Sequence, residues 1–369
     1  MKNLTPLDYA KMACDSKMRM PAEDLPPKGI FHYHAGVFLR GMQKTYELCH
    51  DRKYYDYAKK WVDSEIREDG TIINHNKNRF DDLMAGCLLF MLDKNEQDSR
   101  YKKALDTLTS EIEGWRTNAK GGFWHMQDDD GTPNQMWLDG IFMYGPLVAE
   151  YDKTYGTNRF FDTVNTQLNI MWDNMYVKDA GLLKHAWDCS KKASWSDKET
   201  GLSPEFWGRA IGWYCTALMD LYERMPEQYH ENLAEKDKTL INSLIKYQKP
   251  ENGLWYEVVD KNDRPDNWPE LSCSSLFVYA ICKAYNLGII DKSYMEYAKK
   301  GYEGIISMLE TDEDGYLSVG HVCIGTGVGD YEFYINRPVC NNDLHGLGAF
   351  LYMATEYSKA LDKNCKLHA

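Results

Sequence analysis

The sequence predicts an all-α protein folded as an (α/α)6 barrel, a closed ring of six helical hairpins with short extended segments at one rim. Three observations support this prediction. Apolar residues recur at spacings of three and four through twelve segments, the periodicity of amphipathic helices. A glycine-centred turn followed by a short extended piece returns five times, with room for two helices between successive turns. Small residues are concentrated in every second helix, which lets inner helices crowd a common axis.

The twelve segments alternate between two kinds of helix. The predicted inner helices are 34–49, 81–93, 135–154, 204–223, 270–287 and 342–360. The predicted outer helices are 6–18, 52–67, 98–113, 157–174, 230–248 and 291–309. Several of the outer helices carry Lys and Glu on one face, which is typical of a side that faces water.

The glycine turns divide this series at regular places. They are Asp69-Gly70-Thr71-Ile72, Gly121-Gly122-Phe123-Trp124, Gly181-Leu182-Leu183-Lys184, Asn252-Gly253-Leu254-Trp255 and Asp314-Gly315-Tyr316-Leu317. No Pro-rich or Ser-rich linker interrupts the chain, so we predict one domain over residues 1–369. An open α-solenoid of the same hairpins, used for binding, is the structural alternative.

Composition excludes some classes of function. The net charge of −13 is spread along the chain, and no basic patch indicates a nucleic-acid partner. Aromatic residues make up 13% of the chain, which suits stacking on sugar rings as well as padding a large core. The ten Cys form no CxxC pair and are interpreted as reduced core thiols. Residues 1–8 lack the apolar run of a signal peptide and no run is long enough to span a membrane, so we expect a cytoplasmic monomer or homodimer.

Two aspartates stand at the starts of predicted inner helices. Asp81 opens 81–93, and Asp139 lies before an apolar helix, beside the aromatic residues and the His of the 121–137 stretch. An Asp at a helix start is also a good N-cap, so capping is the alternative for each. Two carboxylates at one rim, with pKa values pushed apart by their surroundings, are the usual equipment of sugar-bond chemistry.

Further candidates lie near the same predicted rim. Arg209 and Trp213 stand four apart on one helix face and would suit a ring that bears an acid, the alternative being an Arg packed among core aromatics. His125 and His185 each follow a glycine turn, which favours a role at the rim.

Two other patterns carry weaker signals. The His32 and His34 pair lacks the partners of a known metal motif, so we predict no metal. The Gly-rich stretch 325–331 lacks the Lys of a phosphate loop and is interpreted as a flexible loop.

Taken together, these motifs resemble a known family, the unsaturated rhamnogalacturonyl hydrolases of glycoside hydrolase family 105, which are related to the unsaturated glucuronyl hydrolases of family 88. The shared motifs are 31–37, 121–125, 135–140, 185–188, 207–213 and 325–329 followed by 342–346. The family's fold is an (α/α)6 barrel, in agreement with the helix pattern. The resemblance implies that Asp139 is the general acid and base and that Asp81 is the second catalytic carboxylate. It implies substrate-binding roles for Tyr33, His34, His125, His185, Trp207, Arg209, Trp213 and Thr326.

The resemblance also implies a reaction without a metal or organic cofactor. A polysaccharide lyase leaves a uronic acid with a C4=C5 double bond, and the family adds water across that bond so that the aglycone is released. We expect an unsaturated rhamnogalacturonyl hydrolase acting on pectin fragments. The alternatives are an unsaturated glucuronyl hydrolase acting on glycosaminoglycan or other polysaccharide fragments, and a sugar-binding toroid without catalysis.

Two departures from the family pattern qualify this expectation. The segment Met126–Thr132 is longer and more acidic than expected, so the identity of the sugar that is released stays undetermined. Asp82 occupies a position that often holds another residue.

For acid catalysis, we expect burial among Trp124, Trp137 and Phe142, with repulsion from Asp81, to raise the pKa of Asp139.

Overall fold

The computed structural model describes residues 4–128 and 131–366. Its α-helices are α1 Pro6–Lys17, α2 Tyr33–Cys49, α3 Arg52–Glu65, α4 Leu89–Asn95, α5 Ser99–Ser110, α6 Leu138–Tyr155, α7 Phe161–Met175, α8 Gly208–Tyr222, α9 His230–Tyr247, α10 Leu271–Asn286, α11 Met295–Ser307, α12 Tyr331–Ile335 and α13 Leu344–Lys366. Its strands are β1 Gln135–Trp137, β2 Tyr176–Val177, β3 Leu182–Leu183, β4 Ala186–Asp188, β5 Glu310–Thr311, β6 Leu317–Ser318, β7 Val322–Cys323 and β8 Val339–Cys340. The strands form antiparallel pairs, β1 with β4, β2 with β3, β5 with β6 and β7 with β8.

The inner helices close into a ring. Helix α2 packs on the 3-10 helix Met84–Leu88, that segment packs on α6, and α8, α10 and α13 follow in order until α13 returns to α2. The outer helices pack against this ring from outside, and α1 covers α13 and α2. A closed ring of six hairpins confirms the predicted (α/α)6 barrel and rules out the open solenoid.

Each of the five predicted glycine turns lies in a tight hairpin directly after an outer helix. The five glycines, Gly70, Gly121, Gly181, Gly253 and Gly315, all have positive φ. At Gly253 the requirement is also steric, because a Cβ would lie 2.3 Å from the carbonyl oxygen of Lys300. The hairpins lead the chain toward the next inner helix, so the inner helices begin at one rim of the barrel.

Some element boundaries differ from the prediction. The segment 81–93 is mainly 3-10 helix, Phe80–Asp82 and Met84–Leu88, before α4 begins. The backbone is crowded there, since a Cβ on Gly36 of α2 would lie 2.8 Å from the Cα of Ala85. The predicted helices at 135–154 and 204–223 start late, because 135–137 pairs as a strand and α8 begins at Gly208.

Among the described residues, the short α-helix α12 was not predicted. Helix α12 follows the Gly-rich stretch that was expected to be a loop, and the Asp330 side chain caps it by accepting a hydrogen bond from the Phe333 amide. All ten Cys are free thiols, and most are buried, which agrees with the reduced state predicted for them. Among the described helices, none has the length and apolarity needed to cross a membrane. The single domain and the cytoplasmic location stay predictions.

Candidate active site

Asp139 is the second residue of α6, and its side chain is 14% exposed. Trp137, at the N-cap of α6, makes no side-chain capping bond. The backbone amide of Leu138 donates to the His185 carbonyl, which fixes the helix start against the strand before β4. Asp139 is therefore inside the helix and does not act as its cap, and its carboxylate is available to the site at the rim.

Asp139, His185 and Tyr334 form a chain of hydrogen bonds. The Nε2 atom of His185 lies 3.1 Å from Oδ2 of Asp139, and its Nδ1 atom lies 2.6 Å from the hydroxyl oxygen of Tyr334. The His185 side chain is fully buried and packs against the Trp207 ring at 4.6 Å. The imidazole is thus held at both nitrogens, and only its carboxylate partner reaches the open part of the site.

Asp81 lies in a different environment. It sits in the 3-10 helix Phe80–Asp82, and among the described residues no group donates a hydrogen bond to its carboxyl. Burial raises its pKa to about 7, with added repulsion from Asp139 and Asp82 and a smaller opposing effect of Arg79. Asp81 therefore binds a proton in the neutral range, whereas an ordinary Asp would be ionised.

The predicted direction of the pKa shift of Asp139 is wrong, because the pKa is lowered and not raised. Burial does raise the pKa of this carboxyl, but attraction to His185, its hydrogen bond and the nearby His125 outweigh burial, so the net pKa is lowered. The sequence suggested the burial and the repulsion from Asp81, but not the imidazole that faces the carboxylate. The pKa values of the two aspartates are thereby separated, so that Asp81 holds a proton and Asp139 carries a negative charge.

Several predicted substrate-binding residues present buried polar atoms that have no partner among the described residues. These atoms are Nε2 of His34, Nδ1 of His125 and Oγ1 of Thr326. Burial lowers the pKa of His34 to about 3 and that of His125 to about 4, so both rings are neutral near pH 7. Buried polar groups are rarely left unpaired in proteins, so Nε2 of His34, which faces Gly325, and Oγ1 of Thr326 are suited to bind the hydroxyl groups of a ligand, whereas Nδ1 of His125 faces Gly140.

These residues border the same space. A Cβ on Gly325 would lie 3.6 Å from Nε2 of His34 and 3.7 Å from the hydroxyl of Tyr33, so the start of the Gly-rich segment covers the N-terminus of α2. The His125 ring stacks on Trp137 at 4.4 Å with an angle of 9° between the planes. Trp137 leads into Asp139, which brings this histidine beside the carboxylate.

Arg209 is buried and bound to the backbone of the segment that precedes the Gly-rich stretch. Its guanidinium is 2% exposed, donating to the carbonyls of Cys323 at 2.6 Å and Ile324 at 2.9 Å, and it lies 3.7 Å from the Glu270 carboxylate. Both terminal nitrogens of the guanidinium therefore bind the backbone that leads into the Gly-rich segment. This matches the alternative of a structural arginine, while contact with a substrate carboxylate stays a prediction.

The two tryptophans near Arg209 are also enclosed. Trp213 is 1% exposed and stacks on Phe142 at 4.6 Å. Trp207 donates from its indole nitrogen to Glu257 and carries the Arg209 guanidinium 4.5 Å from its ring centre. In this state neither ring offers an open face, and their roles in substrate binding stay predictions.

The described residues contain one group that could hold a metal ion, formed by His34, Asp343 and His345. His345 already has partners, since its Nδ1 atom is paired with Asp343 at 2.6 Å and its Nε2 atom lies 3.0 Å from the Cys323 carbonyl. His32, considered as a ligand from the sequence, instead caps α2 by accepting from the His34 amide. The predicted absence of a metal stays a prediction.

Sequence reasoning missed Tyr334. It belongs to α12, a helix of five residues after a Gly-rich stretch, and so short an element leaves no helical periodicity to detect. The only signal was the presence of three aromatic residues among positions 331–334. Its link to His185 joins positions 149 residues apart and could not be read from local sequence.

Comparison with known proteins finds relatives over nearly the whole chain. The model of Glycosyl Hydrolase Family 88 matches residues 9–361. The structure of a family 105 glycoside hydrolase from C. acetobutylicum is 35% identical, with a TM-score of 0.90 over 95% of this chain and 99% of that chain. An unsaturated 3S-rhamnoglycuronyl hydrolase from Alteromonas sp. is 22% identical over 86% of this chain and 75% of the relative. The unsaturated glucuronyl hydrolase of Bacillus sp. GL1, responsible for glycosaminoglycan degradation, shares the fold, with 16% identity and a TM-score of 0.67 over 94% of this chain and 93% of that chain.

Proposed function

Because the chain belongs to the glycoside hydrolases of families 88 and 105, we propose that it removes the unsaturated uronic acid from pectin-derived rhamnogalacturonan fragments. The chain is a glycoside hydrolase of the unsaturated uronyl type. The finer statement, that the uronic acid is attached to rhamnose, is our proposal. We also propose that residues 1–369 form one catalytic domain.

The observation that carries the mechanism is the pair of aspartates with oppositely shifted pKa values. The C4=C5 bond of the substrate is an enol ether, which reacts when an acid delivers a proton to C4 and water adds at C5. The hemiketal that results opens and releases the aglycone. This chemistry needs one carboxylic acid and one carboxylate near neutral pH, and Asp81 and Asp139 together hold a single proton in that range.

Within this pair we propose that Asp139 exchanges protons with the substrate and with water. In the free protein the proton resides on Asp81, and Asp139 is ionised through His185. Two interacting carboxyl groups titrate as a unit, and the carboxylate of an arriving uronide adds a further negative charge that favours protonation of Asp139. The proton that the pair holds in the free protein is then available to Asp139. Asp139 acts first as the acid and then as the base.

The unpartnered polar atoms support the binding of a sugar. His34 and Thr326 each offer one such atom, and Tyr33 borders the same space. Hydroxyl groups on a sugar ring both donate and accept, so they can satisfy a neutral histidine and a threonine at once. We propose that these residues and His125 hold the unsaturated ring, that His185 positions Asp139, and that Trp207, Arg209 and Trp213 complete the wall.

The names of two relatives support rhamnose as the neighbouring sugar. Both are unsaturated 3S-rhamnoglycuronyl hydrolases, one 25% identical over 48% of this chain and the other 22% identical over 86% of it.

A panel of purified unsaturated disaccharides tests the substrate proposal. The panel contains an unsaturated galacturonyl-rhamnose, an unsaturated glucuronyl-rhamnose and a sulfated and a non-sulfated glycosaminoglycan disaccharide, and the loss of the enol-ether ultraviolet band gives kcat/KM for each. We expect the galacturonyl-rhamnose to be the best substrate by about tenfold or more, the effect of one well-placed contact. A higher kcat/KM for either glycosaminoglycan disaccharide would replace our proposal with the glucuronyl hydrolase alternative.

A further inference from the structure

Tyr334 is fully buried although its helix, α12, lies at the rim. Its ring stacks on Trp207 at 5.7 Å with an angle of 19° between the planes. Its hydroxyl oxygen lies 2.6 Å from Nδ1 of His185 and accepts a hydrogen bond from the Gly329 amide at 3.3 Å. One hydroxyl therefore contacts both His185 and the end of the Gly-rich segment.

The protons in this chain can be assigned from the chemistry of its members. Asp139 is ionised and can only accept, so the hydrogen bond at 3.1 Å requires a proton on Nε2 of His185. One tautomer of His185 has a proton on Nε2 and a lone pair on Nδ1. In that tautomer the Tyr334 hydroxyl, which accepts from the Gly329 amide, donates its own proton to Nδ1.

We propose that Tyr334 is a positioning residue for the hydration reaction, whose hydroxyl fixes the tautomer and orientation of His185 so that Nε2–H is aimed at Asp139. This inference rests on the proposed function of Asp139. Without the hydroxyl, the ring is held only by its bond to Asp139, and a ring that turns, or that takes its proton on Nδ1, no longer donates to the carboxylate. Asp139 would then lose the donor that orients it.

The same hydroxyl ties the catalytic residues to the Gly-rich segment. Gly329 is bonded to Tyr334 at one end of the segment, and Arg337 donates to the Gly325 carbonyl at 2.6 Å at the other. Thr326, with its unpartnered hydroxyl, lies between them. A sugar that binds Thr326 therefore touches a segment whose far end is joined to His185.

Helix α12 has anchors that do not depend on the Tyr334 hydroxyl. Tyr331 donates to the Asp266 carboxylate at 2.8 Å, and the Trp268 indole donates to the Ile335 carbonyl at 3.2 Å. Tyr334→Phe keeps the ring that stacks on Trp207, so the helix should stay in place. Tyr331→Phe removes a hydroxyl from the same helix that donates to Asp266 and not to His185, and it is the matched control.

The test combines nitrogen NMR of the histidine side chains with steady-state kinetics. In the free wild-type protein, the His185 signal, assigned by its absence in His185→Gln, should show a protonated Nε2 and an unprotonated Nδ1. In Tyr334→Phe we expect a mixture of His185 tautomers. We also expect kcat to fall by up to about tenfold, since one hydrogen bond to a group at the reacting centre is lost, and KM to stay nearly unchanged. Tyr331→Phe should resemble the wild type in both measurements.

Three results would overturn the inference. One is a wild-type His185 with its proton on Nδ1, a result that needs no variant and no activity. Another is Tyr334→Phe with the wild-type tautomer and wild-type kcat. The third is an equal fall in kcat for both variants, which would mean that α12 is merely loosened. Because the tautomer is measured in the free protein, it is informative even if every unsaturated uronide proves inert, which would instead refute the proposed function.

Discussion

Replacing Asp139 with Asn is expected to lower kcat by about three powers of ten or more, the usual size of general acid and base catalysis. Asn can still accept a hydrogen bond from His185, so the local packing at the start of α6 should persist. It can neither deliver a proton to C4 nor take one from water. Turnover of an unsaturated uronide, followed by the enol-ether ultraviolet band, measures the loss, and circular dichroism and thermal melting check the fold.

Asp162 offers a matched control for this substitution. It is the second residue of α7, as Asp139 is of α6, but it lies on the outside of the barrel, where Tyr229 donates to it. Asp162→Asn should therefore keep wild-type turnover within about twofold, because surface substitutions away from the site have small effects. A folded Asp139→Asn protein with substantial turnover would remove Asp139 from the catalytic role.

Asp81 is expected to make activity depend on pH. Its pKa is raised to about 7, so its proton is present below pH 7 and is lost as the pH rises through that value. Since the reaction needs that proton on the pair, kcat/KM of the wild type should fall above pH 7. In Asp81→Asn we expect kcat/KM to fall by about two powers of ten or more, and the residual activity should no longer show an inflection near pH 7.

In Asp81→Asn, the free energy of unfolding at high pH should rise while the activity falls. This difference separates a catalytic loss from misfolding. A carboxyl whose pKa is higher in the folded than in the unfolded protein destabilises the fold as pH rises from about 4, its unfolded pKa, to about 7. An Asn at position 81 cannot ionise, so the variant should be more stable than the wild type at pH 8 and lose that advantage near pH 4. Melting temperatures at the two pH values measure this difference.

Asp82→Asn is the neighbouring control for these measurements. The Asp82 carboxylate accepts from the Asn76 amide, and an Asn side chain can accept in the same way. Because Asp82 repels the charge on Asp81, its removal should shift the inflection to lower pH while turnover at pH 6 stays high. An inflection near pH 7 that persists in Asp81→Asn would contradict the assignment of that titration to Asp81.

The architecture was readable from the sequence because its signals are local and repeated. The five glycines at 70, 121, 181, 253 and 315 each require a positive φ, and each ends a stretch of helical periodicity. The 3-10 conformation before α4 was not readable, because it depends on how closely Gly36 approaches Ala85 from another hairpin. Helix α12 is too short to produce a periodic pattern.

The places of the two candidate aspartates in the fold were readable from the sequence, whereas the electrostatics around them were not. The positions of Asp81 and Asp139 at the starts of inner segments follow from the helix pattern. The lowered pKa of Asp139 depends on His185, 46 residues away, and the enclosure of Arg209 depends on carbonyls more than a hundred residues away. Contacts of that range are set by how the ring closes, which no local pattern contains.

We propose that the enzyme cleaves the glycosidic bond by hydrating the double bond and not by displacement at the anomeric carbon. To test this, the ultraviolet band and the released rhamnose are followed together, for an unsaturated galacturonyl-rhamnose and for its saturated counterpart. Hydration predicts that the band disappears in equal molar amount to the rhamnose released and that the saturated disaccharide is not cleaved. Release of rhamnose while the band persists, or cleavage of both disaccharides at similar rates, would contradict it.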